Sequence, residues 1–147
     1  MPLPLPIQMF DFSNKLPSYA HEGDAGLDLR AAEALTLGPL ERAVVSCGFA
    51  MAIPQGYAGL VIPRSGLAAQ RGITVVNAPG LIDSGYRGEV KVVLMNLDLK
   101  EPFEIHVGDR IAQLMIVAAP AVMPVAVESL DDTQRGSGGF GSSGVSS

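Results

Sequence analysis

The chain has 147 residues, of which 17% are charged and 5% are aromatic, and its formal charge is −5. This length suits one domain that buries a real core. No cluster of Lys and Arg is present that could neutralise a run of phosphates, so a DNA or RNA polymer is excluded as the expected partner. A small nucleotide that brings its own divalent cation remains compatible with an acidic protein.

The N-terminal residues and the single cysteine indicate the compartment. Every second residue of 1–6 is Pro, and this segment lacks the basic start and unbroken apolar core of a signal peptide. No apolar run approaches the roughly 18 residues that span a bilayer. Cys47 has no partner for an internal disulfide and is expected to be a buried small hydrophobe. We therefore expect a cytoplasmic protein with no membrane association.

Strand-like runs recur along the chain, and Pro or Gly separates most of them. The runs are residues 7–10, 27–30, 43–52, 58–62, 73–76, 89–96, 103–107, 111–117 and 121–127. This spacing predicts a single all-β domain, either a sandwich, a jelly roll or a closed sheet. Only residues 65–71 suggest a helix, a short one that Ser65 would cap and Gly72 would end.

Residues 77–91 carry the most informative pattern in the chain. They form a segment rich in Pro and Gly between two strand-like runs, and we expect it to be the turn of a hairpin. Gly in such a turn lets backbone donors and acceptors approach a ligand closely. The segment also carries a carboxylate, a ring and an amine, on Asp83, Tyr86 and Lys91, each of which suits a nucleotide. An ordinary hairpin turn explains the same pattern if no ligand binds.

The end of the sequence has a different composition. Residues 136–147 contain five Gly and five Ser, which cannot form a core. We therefore divide the chain into a β domain at residues 1–134 and a flexible arm at residues 135–147. Arg135 and Phe140 lie in this arm, and a cation and a ring on a flexible segment can close over a ligand. A disordered tail without function is the alternative.

Five segments in order resemble the five motifs of the homotrimeric deoxyuridine triphosphatases (dUTPases), and the resemblance runs from Asp24 to Gly144. They are Ala-Gly-Leu-Asp-Leu at residues 25–29, Pro-Arg-Ser-Gly-Leu at residues 63–67, the Pro- and Gly-rich segment at residues 77–91, Gly-Asp-Arg-Ile-Ala-Gln-Leu at residues 108–114, and the Gly-rich stretch at residues 135–144. The resemblance implies a jelly-roll-like distorted barrel of short strands with one short helix. It also implies a homotrimer whose sites are each built from three subunits.

The resemblance assigns roles to the residues of the third motif. Asp83 would be the catalytic carboxylate, which places and polarises a water. Tyr86 would pack under the deoxyribose and reject a ribose 2′-hydroxyl. The remaining substrate contacts implied here are Asn77, the backbone of Gly80, Leu81 and Ile82 at the uracil edge, and Lys91. Leu81 departs slightly from the motif, where Thr or Val is more usual. Without the resemblance, Asp83 is better explained by the stabilisation of a turn.

The other motifs supply phosphate and metal contacts. Arg64, Ser65 and Gly66 resemble a phosphate clasp at a helix start. Two further groups of substrate contacts are implied: Gln113 toward the phosphates, and Arg135, Phe140 and Gly141 in the closing arm. Asp28 would orient a water on a Mg²⁺ ion, the implied cofactor, which is bound largely by substrate phosphates.

Two pairs of residues outside these roles are expected to be structural. Asp109 and Arg110 are expected to pair across their turn. His21 and His106 match no metal spacing and are expected at the surface.

The resemblance implies hydrolysis of dUTP to dUMP and pyrophosphate by Mg²⁺-assisted attack of water on the α-phosphate. Such an activity limits uracil in DNA and supplies dUMP for thymidylate synthesis. Two alternatives stay open from the sequence: a dCTP deaminase-like enzyme of the same fold, and a nucleotide-binding regulatory module without catalysis.

Overall fold

The structure is a computed structural model that describes residues 1–10, 14–141 and 143–144. Ten strands and one short helix are found in this part of the chain. In order they are β1 (Ile7–Met9), β2 (Leu27–Arg30), β3 (Leu35–Leu37), β4 (Arg42–Met51), β5 (Tyr57–Ile62), α1 (Ser65–Arg71), β6 (Ile73–Val75), β7 (Gly80–Ile82), β8 (Glu89–Asn96), β9 (Phe103–Ile105) and β10 (Arg110–Ala118).

The strands form two four-stranded sheets and one two-stranded pair. The first sheet has the order β1-β4-β8-β6, the second has the order β2-β10-β5-β7, and β3 pairs with β9. All of these pairs are antiparallel. The predicted all-β single domain with one short helix is confirmed. Within the described residues the sheets do not join into a closed barrel.

One apolar core joins the two sheets. It contains buried side chains from both, among them Leu29 and Leu114 of the second sheet and Phe49 and Leu94 of the first. Along β8 the side chains alternate, with Val90, Val92 and Leu94 buried and Lys91 exposed. The period-two alternation of a strand thus places the core on one face and Lys91 on the other.

The segment predicted as a hairpin turn has a more elaborate path. β6 and β8 do pair, with Ile73 opposite Asn96. Between them, however, the chain leaves the first sheet and forms β7, whose Gly80 lies opposite Val61 of β5 in the second sheet. The simple-hairpin prediction was wrong because three residues at 80–82 find a strand partner outside the hairpin.

The predicted N-cap of the helix was wrong by one residue. Ser65 is the first helical residue, Arg64 occupies the N-cap position, and no side chain caps the start. Gly72 ends the helix as predicted, with φ of 64° and its N–H directed to Ala68 and Leu67. This is the only helix in the described part of the chain, and it is not of a length or character that could cross a membrane.

Residues 119–141 form no strand or helix, and nearly all of their side chains are exposed. The strand predicted at residues 121–127 is not formed in the single chain, so this prediction was wrong. Its apolar side chains are exposed, with Val122 at 82%, Met123 at 84% and Val125 at 68%. Apolar strand-forming residues here have no neighbouring strand to pair with in the same molecule.

Cys47 is buried in β4, as the sequence predicted. Burial, and after it the negative charges of Glu89 and Glu33, raise the pKa of its thiol to about 12. The thiol therefore stays protonated at neutral pH and serves the core as a small apolar group.

Candidate active site

A pocket of about 220 Å³ lies where β5, β6, β7 and β8 meet. The residues that line it are Val61, Val75, Asn77, Gly80, Leu81, Ile82, Asp83, Tyr86, Glu89, Val90, Lys91, Val92 and Val93. Its apolar lining is mostly valine, and its polar groups come from the connection between β6 and β8 and from Glu89 and Lys91 of β8. An apolar pocket with a few placed polar groups is typical of a small-molecule site.

The backbone of β7 forms one wall of this pocket. β7 lies at the edge of the second sheet and pairs on one side only, with β5. Gly80 permits the close packing of this wall, because a Cβ atom there would lie 3.2 Å from the Asn77 amide nitrogen and 3.3 Å from Val61 Cβ. The Leu81 side chain is exposed, so this residue contributes its backbone rather than a core contact.

Tyr86 and Asp83 belong to one tight turn. The Tyr86 N–H donates to the Asp83 carbonyl at 3.1 Å, and the Tyr86 hydroxyl donates to the Glu89 carbonyl at 3.0 Å. The ring passes directly over Gly88, where a Cβ atom would lie 2.4 Å from the hydroxyl oxygen. The turn thereby presents an exposed ring and an exposed carboxylate at the same pocket.

Lys91 brings the positive charge of the pocket. Its Nζ lies 3.9 Å from Glu89 Oε2, and its side chain is 51% exposed. Within the pocket a flexible ammonium therefore stands beside a carboxylate that is less exposed.

A second group of charged residues lies on the second sheet, and we call it the arginine cluster: Asp28, Arg64 and Arg110. The Asp28 side chain is only 5% exposed. Its Oδ2 lies 3.3 Å from Arg110 Nη1, and its Oδ1 lies 3.8 Å from Arg64 Nε. Arg64 also donates to the Arg110 carbonyl at 3.0 Å. Two guanidinium groups thus share one buried carboxylate, which orients both of them.

Gln113 extends the arginine cluster along β10. It lies opposite Asp28 of β2 and opposite Ile62 of β5. Its side chain packs over Gly26, where an added Cβ would lie 3.1 Å from Gln113 Cβ. Ser65 and Gly66 follow Arg64 at the start of α1 and are exposed. The structure therefore brings the residues of the predicted phosphate clasp to one sheet.

The expected pairing of Asp109 with Arg110 was wrong. The Asp109 carboxylate accepts the His106 N–H at 2.8 Å and closes the turn without Arg110. Arg110 instead reaches Asp28, which lies 82 positions away in the sequence. Because the pairing of Arg110 with Asp28 follows from the register of β10 against β2, nothing in the local sequence indicated it. His21 and His106 are exposed, as expected.

The predicted site residues fall into three separate places. Seven of the fourteen predicted substrate contacts line the pocket: Asn77, Gly80, Leu81, Ile82, Asp83, Tyr86 and Lys91. The clasp residues Arg64, Ser65, Gly66 and Gln113 do not line it. The described residues of the arm, 135–141 and 143–144, do not line it either: Arg135 donates to the Gly138 carbonyl at 2.9 Å, and the Phe140 ring is fully exposed.

The donor set fits a metal that arrives with a phosphate ligand. Within residues 1–10, 14–141 and 143–144, no group of three or more His, Cys, Asp or Glu side chains is placed to hold an ion. Asp28 offers one buried carboxylate between two arginines that suit phosphate oxygens. A Mg²⁺ ion needs little more from the protein when phosphates and waters fill most of its positions.

A profile of the dUTPase family matches residues 13–144. The deoxyuridine 5'-triphosphate nucleotidohydrolase of Leifsonia xyli subsp. xyli is 54% identical over 132 residues, which cover 90% of this chain and 87% of that protein. The protein of the same name from Nocardia farcinica is 52% identical over 141 residues, with 96% and 86% covered.

Solved structures are similar along nearly the whole chain. A mutant of the Staphylococcus bacteriophage 80alpha dUTPase with dUpNHpp has a TM-score of 0.89 at 30% identity, covering 97% of this chain and 99% of that one. A mutant dUTPase from phage phi11 of S. aureus, described with a structural Mg(II) ion, has a TM-score of 0.79 at 28% identity, covering 88% and 100%.

Gly88→Ala should move the Tyr86 ring without unfolding the protein. The new methyl group would overlap the hydroxyl end of the ring, which is exposed and can turn away. We expect the ring NMR resonances of Tyr86 to shift and the free energy of unfolding in urea to fall by about 0.5–1.5 kcal/mol, the worth of one hydrogen bond. Gly85→Ala is the matched control, since nothing lies within 4 Å of its Cβ position. Equal ring shifts in both variants would contradict the described packing.

Proposed function

The chain belongs to the dUTPase family, and on that premise we propose that it hydrolyses dUTP to dUMP and pyrophosphate. One observation carries the proposal: Asp83, Tyr86, Lys91 and the open edge of β7 line the same pocket. Through this reaction the protein would limit uracil in DNA and supply dUMP for thymidylate synthesis, with the cytoplasm as its proposed compartment.

The edge position of β7 supports a role in reading the base. The N–H and C=O groups on the free side of an edge strand have no ladder partner and are available to a ligand. A uracil edge offers the matching acceptors and donor. The Asn77 amide stands beside Gly80 and can add a further contact. Because Gly80 has no side chain, the backbone can approach the base closely. That close approach leaves little room for the methyl group of thymine.

Tyr86 is proposed to read the sugar. Its hydroxyl is held by the hydrogen bond to the Glu89 carbonyl, and the lack of a side chain at Gly88 leaves space for the ring. A ring held in this way can pack against a deoxyribose and exclude the added hydroxyl of a ribose by contact. An apolar pocket without such a wall discriminates poorly against one hydroxyl group.

Asp83 is proposed to place the attacking water. Its carboxylate is exposed at the pocket while its backbone carbonyl is fixed in the turn with Tyr86. The carboxylate accepts a hydrogen bond from the water, and this orients a lone pair of the water oxygen toward the α-phosphate. Attack forms the new P–O bond, pyrophosphate leaves, and the water proton passes toward the carboxylate. A bound Mg²⁺ would supply charge neutralisation on the phosphates, with Asp28 holding a water of the ion.

The phosphate clasp is proposed to act from another copy of the chain, in a homotrimer. Arg64, Ser65 and Gln113 do not line the pocket of their own chain, yet a triphosphate needs their charge and donors. Association also accounts for the exposed apolar segment at residues 121–127, since such a segment is stabilised by pairing with a second subunit. A closed ring of copies lets each pocket meet a neighbour's clasp.

The arm at residues 135–147 is proposed to close over the bound nucleotide. Arg135 supplies a guanidinium for phosphate, Phe140 supplies a ring that can stack on the base, and Gly141 supplies backbone without a side chain. In the described part of the arm these groups are exposed and uncommitted to the core. Closure would order the arm and keep bulk water from the reacting phosphate.

Truncation after Asp132 should separate folding from closure. The shortened protein should keep its urea midpoint and its oligomeric state, because the removed residues that the structure describes, 133–141 and 143–144, include no buried side chain. Its kcat/KM for dUTP should fall by at least about tenfold, the worth of one lost base stack. Phe140→Ala should reproduce part of that loss. Full activity in the truncated protein would show that the arm is a tail without function.

Asp83→Asn tests the proposed reaction directly. The wild-type protein should release pyrophosphate from dUTP with Mg²⁺, release it poorly from UTP, and release no ammonia from dCTP. The Asn variant should still bind dUTP, with kcat lower by about two to four orders of magnitude, because the carboxylate acts mainly in the transition state. Glu104→Gln, at an exposed carboxylate outside the pocket, is the control and should leave kcat unchanged.

The same assay decides between the proposal and its alternatives. Ammonia from dCTP would indicate a deaminase, and binding without turnover of any of the three nucleotides would indicate a regulatory module. The relatives, which are named deoxyuridine 5'-triphosphate nucleotidohydrolases, support hydrolysis over deamination.

A further inference from the structure

We propose that Glu89 is a positioning residue of the pocket, which holds the Lys91 ammonium in the place that nucleotide binding requires. The inference rests on the proposed function, since Lys91 matters here as a contact for dUTP. Glu89 lines the pocket together with Asp83, Tyr86 and Lys91. None of the roles assigned to the five motifs includes it.

The Glu89 carboxylate fills an interruption in the pairing of β4 with β8. The register is regular up to Ser46 and shifts before Ala50, which lies opposite Glu89. At this shift Glu89 Oε1 accepts hydrogen bonds from the Ser46 hydroxyl and from the Gly48 N–H, the second at 3.1 Å. A side chain thus provides the partner that the strand ladder lacks, and one carboxylate oxygen is fixed to the neighbouring strand.

The remaining groups of Glu89 face the pocket. Its Oε2 lies 3.9 Å from Lys91 Nζ, and its backbone carbonyl accepts the Tyr86 hydroxyl at 3.0 Å. The Glu89 side chain is 27% exposed and that of Lys91 is 51% exposed. The anchored carboxylate is therefore the fixed partner, and the ammonium on its flexible stem is the partner that it restrains.

The presence of a carboxylate at Glu89 is better explained by the orientation of the Lys91 ammonium than by electrostatic attraction of the nucleotide. A negative charge by itself opposes the entry of a triphosphate, and beside Lys91 it cancels most of the attraction at long range. What the pair retains is a defined place for the ammonium, so that the short contact with a nucleotide costs less side-chain entropy. Glu89 is thereby a positioning residue that acts through Lys91.

Glu89→Gln tests this role at little cost to the fold. The Gln amide oxygen can still accept from Ser46 and Gly48, while the charge facing Lys91 is lost. We expect KM for dUTP to rise roughly two- to fivefold, as for an exposed ion pair, with kcat and the urea midpoint unchanged. In a Lys91→Met background the same substitution should add no further rise, because the effect passes through Lys91.

Glu33→Gln is the matched control for the strand contact. The Glu33 carboxylate accepts the Ser46 N–H at 2.7 Å at the same interruption of β4, but Glu33 does not line the pocket. Its variant should leave both KM and kcat unchanged. A rise in KM as large as that of Glu89→Gln would show that the strand interruption, and not the contact with Lys91, is responsible.

A measurement without substrate keeps this inference separate from the proposed function. Carbon-13 relaxation of methylated lysines should show a more mobile Lys91 side chain in Glu89→Gln, with Lys15 and Lys100, the two other lysines, unchanged. A wild-type protein that fails to hydrolyse dUTP would refute the function alone. Unchanged Lys91 mobility, or a KM effect that persists in Lys91→Met, would overturn the role of Glu89.

Discussion

The pocket depends on the path of the chain between β6 and β8, which leaves the first sheet, adds β7 to the second sheet and returns. Two strand pairings fix this path: Ile73 opposite Asn96 and Gly80 opposite Val61. Because β7 is short and lies at an edge, its backbone stays open toward the valine lining. The crossing also places the tight turn of Asp83 and Tyr86 at the pocket mouth, so the carboxylate, the ring and the open backbone all follow from one excursion.

A single chain nevertheless provides only part of the site that the proposed reaction requires. Its pocket has one ammonium, Lys91, partly neutralised by Glu89, whereas its guanidinium groups Arg64 and Arg110 are gathered around the buried Asp28 on the second sheet. The apolar residues 121–127 are exposed as well. The proposed homotrimer would account for both features, because association would bring the arginine cluster of one copy to the pocket of another.

The sequence predicted best what depends on local pattern. Period two along β8 places Glu89 on the same face as Lys91, so the sequence contained a signal for Glu89. Pairings between distant segments were missed: Arg110 with Asp28, and β7 with β5. The strand expected at residues 121–127 failed for the opposite reason, since its composition favours a strand but the chain contains no partner for it. Register and partner choice are properties of the folded sheets, and no window of sequence contains them.

The central claim, that pocket and arginine cluster act across copies, is tested most directly by mixing two inactive variants. Asp83→Asn damages the pocket and Arg64→Ala damages the cluster, each in a different chain. After subunits are exchanged by joint refolding, shared sites should recover about a quarter of wild-type dUTP turnover, because half of the pockets and half of the clusters are intact and pair at random. Turnover that stays at the mean of the two separate variants would contradict the account and place both groups of residues in one chain's site.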